Sequence, residues 1–119
     1  MKDAKKYSGG CHCGQVRYEA TMELTGGMEC NCSICAKKGA ILTFVPAEDF
    51  ALKSGQDSLT DYQFGKKNIH HLFCRVCGIP SFARGTGPNG KKMCAVNVRC
   101  LDDVDVSVLR LKHVDGKSL

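Results

Sequence analysis

The chain has no tryptophan, only three prolines and few aromatic residues, 7% of its 119 positions. It also has no apolar run of the length a bilayer-crossing helix needs. The basic opening MKDAKKYSGG is not followed by an apolar stretch, so no secretory signal is read. The protein is therefore expected to act inside the cell, in the cytoplasm, with no membrane partner and with a nuclear location still compatible. No Gly-rich phosphate loop joins a strand to a helix, which excludes a Rossmann unit. Repeats, low-complexity tracts and linkers are absent, so residues 1–119 are expected to form a single small domain.

Charge is scattered rather than concentrated. The formal net charge is +5, but close basic doublets occur only at Lys5 and Lys6, Lys37 and Lys38, Lys66 and Lys67, and Lys91 and Lys92. No basic stripe is interleaved with stacking aromatics, so nucleic acid is not the expected partner. Solubility, or attraction of a small anion, is the more economical meaning. Thiolates held on a metal would also remove much of the positive excess.

Cysteine is what the chain has in abundance, nine residues in all. An odd number, mostly at metal-ligand spacing, fits a reduced compartment better than a disulfide framework. Cys11 and Cys13 form a C-x-C, Cys30, Cys32 and Cys35 a C-x-C-x-x-C, and Cys74 and Cys77 a C-x-x-C. Structural zinc takes four ligands, whereas catalytic zinc typically has three protein ligands and an exchangeable position. The seven clustered thiols thus divide into one closed set and one open set. Two zinc ions per chain are expected.

The most economical pairing joins Cys11 and Cys13 to Cys74 and Cys77, each pair being followed by a glycine, Gly14 or Gly78, that can take the tight backbone around a metal. Clamping residue 13 to residue 74 closes a loop of about sixty residues, and a cross-link over a long loop constrains the unfolded chain strongly. The plainer alternative is that one of these motifs is a pair of buried thiols. Cys30, Cys32 and Cys35 then stand as an open three-thiolate set, with the fourth ligand undetermined among Cys94, Cys100, a histidine, water or a substrate thiol. His12 lies within the first knuckle. His70 and His71 are strand neighbours that point to opposite faces. His113 lies near a polar tail and reads as surface. A zinc with three thiolate donors is a poor Lewis acid, so presenting a substrate thiolate is a more natural role for it than activating water.

The remaining pattern is all-β, with short strands between Gly, Asn and Asp signals. Strands are expected at 15–21, 41–45, 58–64, 69–73, 80–84, 93–98 and 106–112, with hairpin turns at GKKN and at GTGPNGKK. Only 33–40 and 47–50 read as helical, about one turn each. Ser33 is a candidate cap that would set Cys35 near a helix N-terminus and favour its thiolate.

GGCHCGQVRYEA, then ECNCSICAKKGA, then HHLFCRVCGIPSF resemble the glutathione-dependent formaldehyde-activating enzyme family, which includes centromere-protein-V-like domains. The closing MCAVNVRCLDDVD is also similar, and the likeness runs from about Ser8 to Leu111. The resemblance implies a β-tent-like fold of short antiparallel strands. It implies a structural zinc on Cys11, Cys13, Cys74 and Cys77, and a more labile catalytic zinc on Cys30, Cys32 and Cys35. It further implies a carbon–sulfur lyase that condenses formaldehyde with glutathione to S-hydroxymethylglutathione, or acts on a related thiol and aldehyde. The competing readings are a zinc-stabilised protein- or chromatin-binding module without catalysis, and a thiol-redox or metal-buffering protein.

Overall fold

Residues 4–87 and 89–118 are described by a computed structural model. Among them the short alternating segments become ten strands and one short helix. β1 (Lys5–Gly10), β2 (Arg17–Met22) and β5 (Phe50–Ser54) form a three-stranded antiparallel sheet with β2 in the middle. The other strands are β3 (Gly26–Cys30), β4 (Leu42–Pro46), β6 (Leu59–Tyr62), β7 (Ile69–Cys74), β8 (Phe82–Thr86), β9 (Lys92–Asn97) and β10 (Arg110–Val114). They make a seven-stranded sheet in the order β10-β3-β4-β9-β8-β7-β6. All its neighbours are antiparallel except β10 and β3, which run parallel. No helix among the described residues is long and apolar enough to cross a membrane.

The all-β reading and both hairpins hold, while three strands escape the alternation pattern. β1 and β3 are polar or glycine-rich, β5 is short with only Phe50 and Leu52 turned to the core, and β3 begins Gly26–Gly27. That pair reads as a turn but serves close approach, since a Cβ on Gly27 would overlap the Ile41 side chain. The strand expected at 106–112 is shifted. Asp105 accepts hydrogen bonds from the Ser107 backbone N–H (3.0 Å) and hydroxyl (2.6 Å), which turns Val106–Val108 into one 3-10 turn before β10 begins. Residues 47–49 likewise form a 3-10 turn, and Phe50 already opens β5.

Register sorts the larger sheet into two faces, because directly paired residues point the same way. On the inner face Val45 pairs with Cys94 and Phe82 with Val96. Together with Ile41 and Cys74 they pack against Val16, Tyr18, Ala20 and Met22, joining both sheets in one core. The rings of Tyr18, Phe50 and Phe82 interlock there, with centroids 4.7 to 5.5 Å apart. On the outer face a single row, Phe44, Ala95, Ala83, His71 and Tyr62, crosses β4, β9, β8, β7 and β6.

The helix α1 (Ser33–Lys38) stops at Gly39, which takes a left-handed φ of 65° and donates its N–H to the Cys35 carbonyl at 3.0 Å. Its N-cap is Cys32, not Ser33, which is the first helical residue. A cysteine at the cap follows from the tight C-x-C turn, which holds Cys32 extended at the helix entrance.

Tyr18 is buried at 1% exposure and its hydroxyl donates to the Ser81 carbonyl at 2.9 Å, tying the small sheet to the large one. Tyr18→Phe removes this bond while the Ser81 carbonyl keeps the Asn97 N–H at 3.1 Å. It should lower unfolding free energy by about 0.5–1.5 kcal/mol in urea titration, with an unchanged denaturant slope.

Candidate metal centres

Two knuckles meet where the sheets join. Residues 11–16 turn from β1 into β2, closed by the Cys11 N–H on the Val16 carbonyl at 3.0 Å. Residues 74–79 turn away from the end of β7, closed by Cys74 N–H on the Ile79 carbonyl at 3.1 Å. Gly14 and Gly78, directly after the second cysteine of each pair, have φ of 85° and 81°, a conformation that a side chain would strain. The Sγ atoms of Cys11, Cys13, Cys74 and Cys77 all lie within 4.8 Å of one another. Two of the edges, Cys11 to Cys13 and Cys13 to Cys74, are 3.6 Å. A tetrahedron with zinc–sulfur bonds of about 2.3 Å has edges of about 3.8 Å, so the donor set fits zinc in both chemistry and size.

Backbone amides face these sulfurs. Val16 N–H lies 3.3 Å from Cys11 Sγ and Val76 N–H 3.4 Å from Cys74 Sγ. Cys77 is pulled down to about 6, first by the Ile79 N–H, then by the Cys13 N–H and neighbouring thiols, against some desolvation. Cys74 is lowered in the same way, chiefly by the Cys77 N–H. The Gln15 N–H also pulls Cys13 down, but desolvation and the three adjacent sulfurs override it and push that thiol up to about 12. Four thiols this close cannot all ionise without a cation among them.

The second cluster is built on the entrance to α1. Cys30 ends β3, Cys32 caps the helix and Cys35 lies in its first turn, with all three Sγ atoms within 4.8 Å. These are soft donors at zinc-compatible separations, and among the described residues the cluster offers three rather than four. Cys32 N–H points at Cys30 Sγ over 3.5 Å. Partial burial opposes ionisation of Cys32, but the Cys35 N–H and thiol, with Cys30 and the Ile34 N–H, hold it below its ordinary value. Cys35 goes the other way, up to about 12, through burial first and then its sulfur neighbours, with Lys38 opposing. The thiol favoured by the helix entrance is therefore Cys32 and not Cys35.

A strap flanks this cluster. Past β10 the chain runs over the 30–32 turn and is pinned by one residue, Asn31. Its backbone N–H donates to the Val114 carbonyl at 3.1 Å and its Nδ2 to Asp115 Oδ1 at 2.9 Å, while its Oδ1 accepts from Lys117 N–H at 2.9 Å. Gly116 faces the sulfurs so closely that a Cβ there would overlap Cys30 Sγ and come within 3.2 Å of Cys32 Cβ. No signal in the sequence marks Asn31 or Gly116, because the contact spans about eighty residues and neither belongs to a spacing pattern.

The other sequence candidates are dispersed. Cys94 lies on the inner face at 2% exposure, and burial raises its thiol. Cys100 is half-buried, raised to about 11 by burial and then by Cys11 and Cys77, so it neighbours the four-thiol cluster without joining it. His12 is exposed and outside both clusters. His113 is at the surface, its Nδ1 3.4 Å from Glu29 Oε1. His70 and His71 do part: His70 Nδ1 meets Asp61 Oδ2 at 2.6 Å, whereas His71 stands in the outer-face row. His71 Nδ1 is buried without a hydrogen-bond partner. Burial, then the nearby Lys38 ammonium, lowers the His71 pKa. Ile34 and Lys38, one helical turn apart, line a cleft of about 280 Å³ with His71, Tyr62, Phe73 and Pro80.

Comparison with known proteins gives two findings. Residues 6–113 match the family model of the glutathione-dependent formaldehyde-activating enzyme. A crystal structure of a Rhodobacter sphaeroides protein superimposes with a TM-score of 0.75 at 32% identity, covering 88% of this chain and 99% of that one.

Asn31→Ala or Gly116→Val should release the strap. In chelator, Cys30 and Cys32 should then react several-fold faster with a disulfide reagent, with the circular dichroism spectrum unchanged. The strap should also loosen in acid. Ser118 and then Asn31 hold the Asp115 carboxyl below its ordinary value, so its contribution is present above that value and lost as pH falls through the lowered one. Labelling rates that ignore both substitutions would count against the clasp.

Proposed function

The chain belongs to the glutathione-dependent formaldehyde-activating enzyme family, and from that membership we propose that it is a zinc-dependent carbon–sulfur lyase joining a glutathione-like thiol to formaldehyde or a related aldehyde. Cys11, Cys13, Cys74 and Cys77 would hold a structural zinc, and Cys30, Cys32 and Cys35 a catalytic one with a position left for substrate. The observation that carries this reading is that the cluster beside the Lys38 cleft has three thiols where the other has four. Zinc at such a site supplies a centre that lowers the pKa of a bound thiol and keeps it as the nucleophilic thiolate. Reduced glutathione is a cytosolic thiol, in keeping with action in the cytoplasm.

The chain's own residues supply position and charge. Lys38, half-buried on the cleft side of α1, attracts a glutathione carboxylate, while Lys37 is exposed at the end of the same turn. His71 lines the same cleft, and burial followed by the Lys38 ammonium disfavours its charged form there. The strap covers the Cys30–Cys32 side and restricts approach from that direction. In the addition the thiol gives up its proton, its sulfur forms a bond to the aldehyde carbon, and the carbonyl π pair moves to oxygen, which takes a proton. No oxidant is consumed, and holding the two reactants together supplies most of the acceleration. An exposed stack of Tyr62 on Phe64, 5.7 Å between centroids, favours the alternative of a protein- or chromatin-binding module.

Cobalt in place of zinc separates the readings, since thiolate-to-cobalt absorption grows with each sulfur bound. Glutathione should raise the band, and Cys32→Ser should abolish that response while the four-thiol site persists. Cys74→Ser should instead largely unfold the protein, because structural zinc contributes on the order of 10 kcal/mol of apparent binding free energy. A band indifferent to glutathione and other small thiols would overturn the catalytic reading in favour of the binding module.

A further inference from the structure

The outer face of the larger sheet is hollowed beside the three-thiol cluster. Ala83 and Ala95, directly paired, form a small-residue floor. Cys35 packs on that same floor, together with Ala40 and Leu42. Beyond it the floor opens into a cleft of about 290 Å³ walled by Phe44, Ile69 and Met93. Phe44 is 50% exposed and Ile69 47% exposed, so two large apolar side chains border an open hollow. Arg84 also lines the cleft, but its guanidinium is committed to the opposite face, 5.9 Å and 5.4 Å from the Phe50 and Phe82 ring centroids. No other ionisable side chain lines it among the described residues. The cleft on the far side of His71, by contrast, carries Lys38 and Tyr62.

The two hollows therefore differ in chemistry and adjoin along the outer row, where His71 of the first is the strand partner of Ala83, part of the floor that the second shares with Cys35. A thiol bearing carboxylates fits the one with Lys38. The other has nothing to offer a carboxylate, and formaldehyde's single carbon would leave it unfilled. Resting on the catalytic reading above, we propose that the apolar cleft holds the carbon chain of the aldehyde-derived half of the adduct. The substrate class is then glutathione adducts of aldehydes carrying an apolar group of several carbons. The bond changes are those of the formaldehyde reaction, with sulfur adding to the carbonyl carbon and the oxygen taking a proton.

Titration calorimetry of the zinc-loaded protein tests this with two probes, the glutathione adducts of formaldehyde and of hexanal, each in excess glutathione. A fully buried methylene is worth about fourfold in affinity, so partial burial of the hexyl chain should tighten binding more than tenfold. The double variant Phe44→Ser, Ile69→Ser alters exposed positions and should lose that gain while binding the hydroxymethyl adduct within about twofold of wild type. Equal affinities for the two adducts, or a gain that survives the double variant, overturns this inference and leaves the catalytic reading standing. Failure to bind either adduct overturns both. A double variant that turns a dimer into a monomer without changing either affinity also overturns it, assigning the face to a second copy of the chain.

Discussion

Four sulfur atoms, two from each sheet, converge within 4.8 Å of one another, and the remaining architecture is arranged around that junction. Cys11 and Cys13 lie in the turn between β1 and β2, whereas Cys74 ends β7 of the larger sheet and Cys77 lies in the turn after it. Fixing one knuckle on the other sets where the small sheet rests, and so which residues of the large sheet become interior. Tyr18 then reaches Ser81, and Phe50 and Phe82 close around its ring. In a chain with no tryptophan, a metal held at that junction would do what a larger core otherwise does.

The larger sheet divides its duties by face. Phe82 and Val96 look inward to the packed core, while Ala83 and Ala95, one residue along each strand, look outward beneath Cys35. Ala83 and Ala95 leave room on the outer face, whereas Phe82 and Val96 fill the inner one. His70 and His71 show the same division: adjacent in sequence, one is paired with Asp61 on the inner side and the other stands without a partner near α1. A one-residue slip in β7 would exchange them.

Cysteine spacing made the two thiol clusters legible because metal ligation leaves a short-range signature. Cys11 with Cys13, and Cys74 with Cys77, sit at fixed separations that any reader of the chain can see. The strands with alternating apolar residues were equally visible. β1 and β3 were not, since Gly9, Gly10, Gly26 and Gly27 mimic turns while serving close backbone contact. Asn31 and Gly116 were invisible for a different reason: their role exists only once β10 lies alongside β3. Asp105 was readable in principle, because Asp two residues before Ser is a turn signal, but the apolar run after it outweighed that signal.

The parallel pairing of β10 with β3 has a consequence for biogenesis. β10 lies about eighty residues downstream of Cys30. At synthesis rates of about 5–20 residues per second, the three-thiol turn leaves the ribosome roughly 4–16 s before the strand that flanks it. Non-local pairings of this kind also form late in folding. For that interval Cys30 and Cys32 are open to the surrounding solution, to metal and oxidant alike. The order of the chain therefore leaves the cluster more accessible during translation than after the strap arrives, when Cys30 and Cys32 are part-buried.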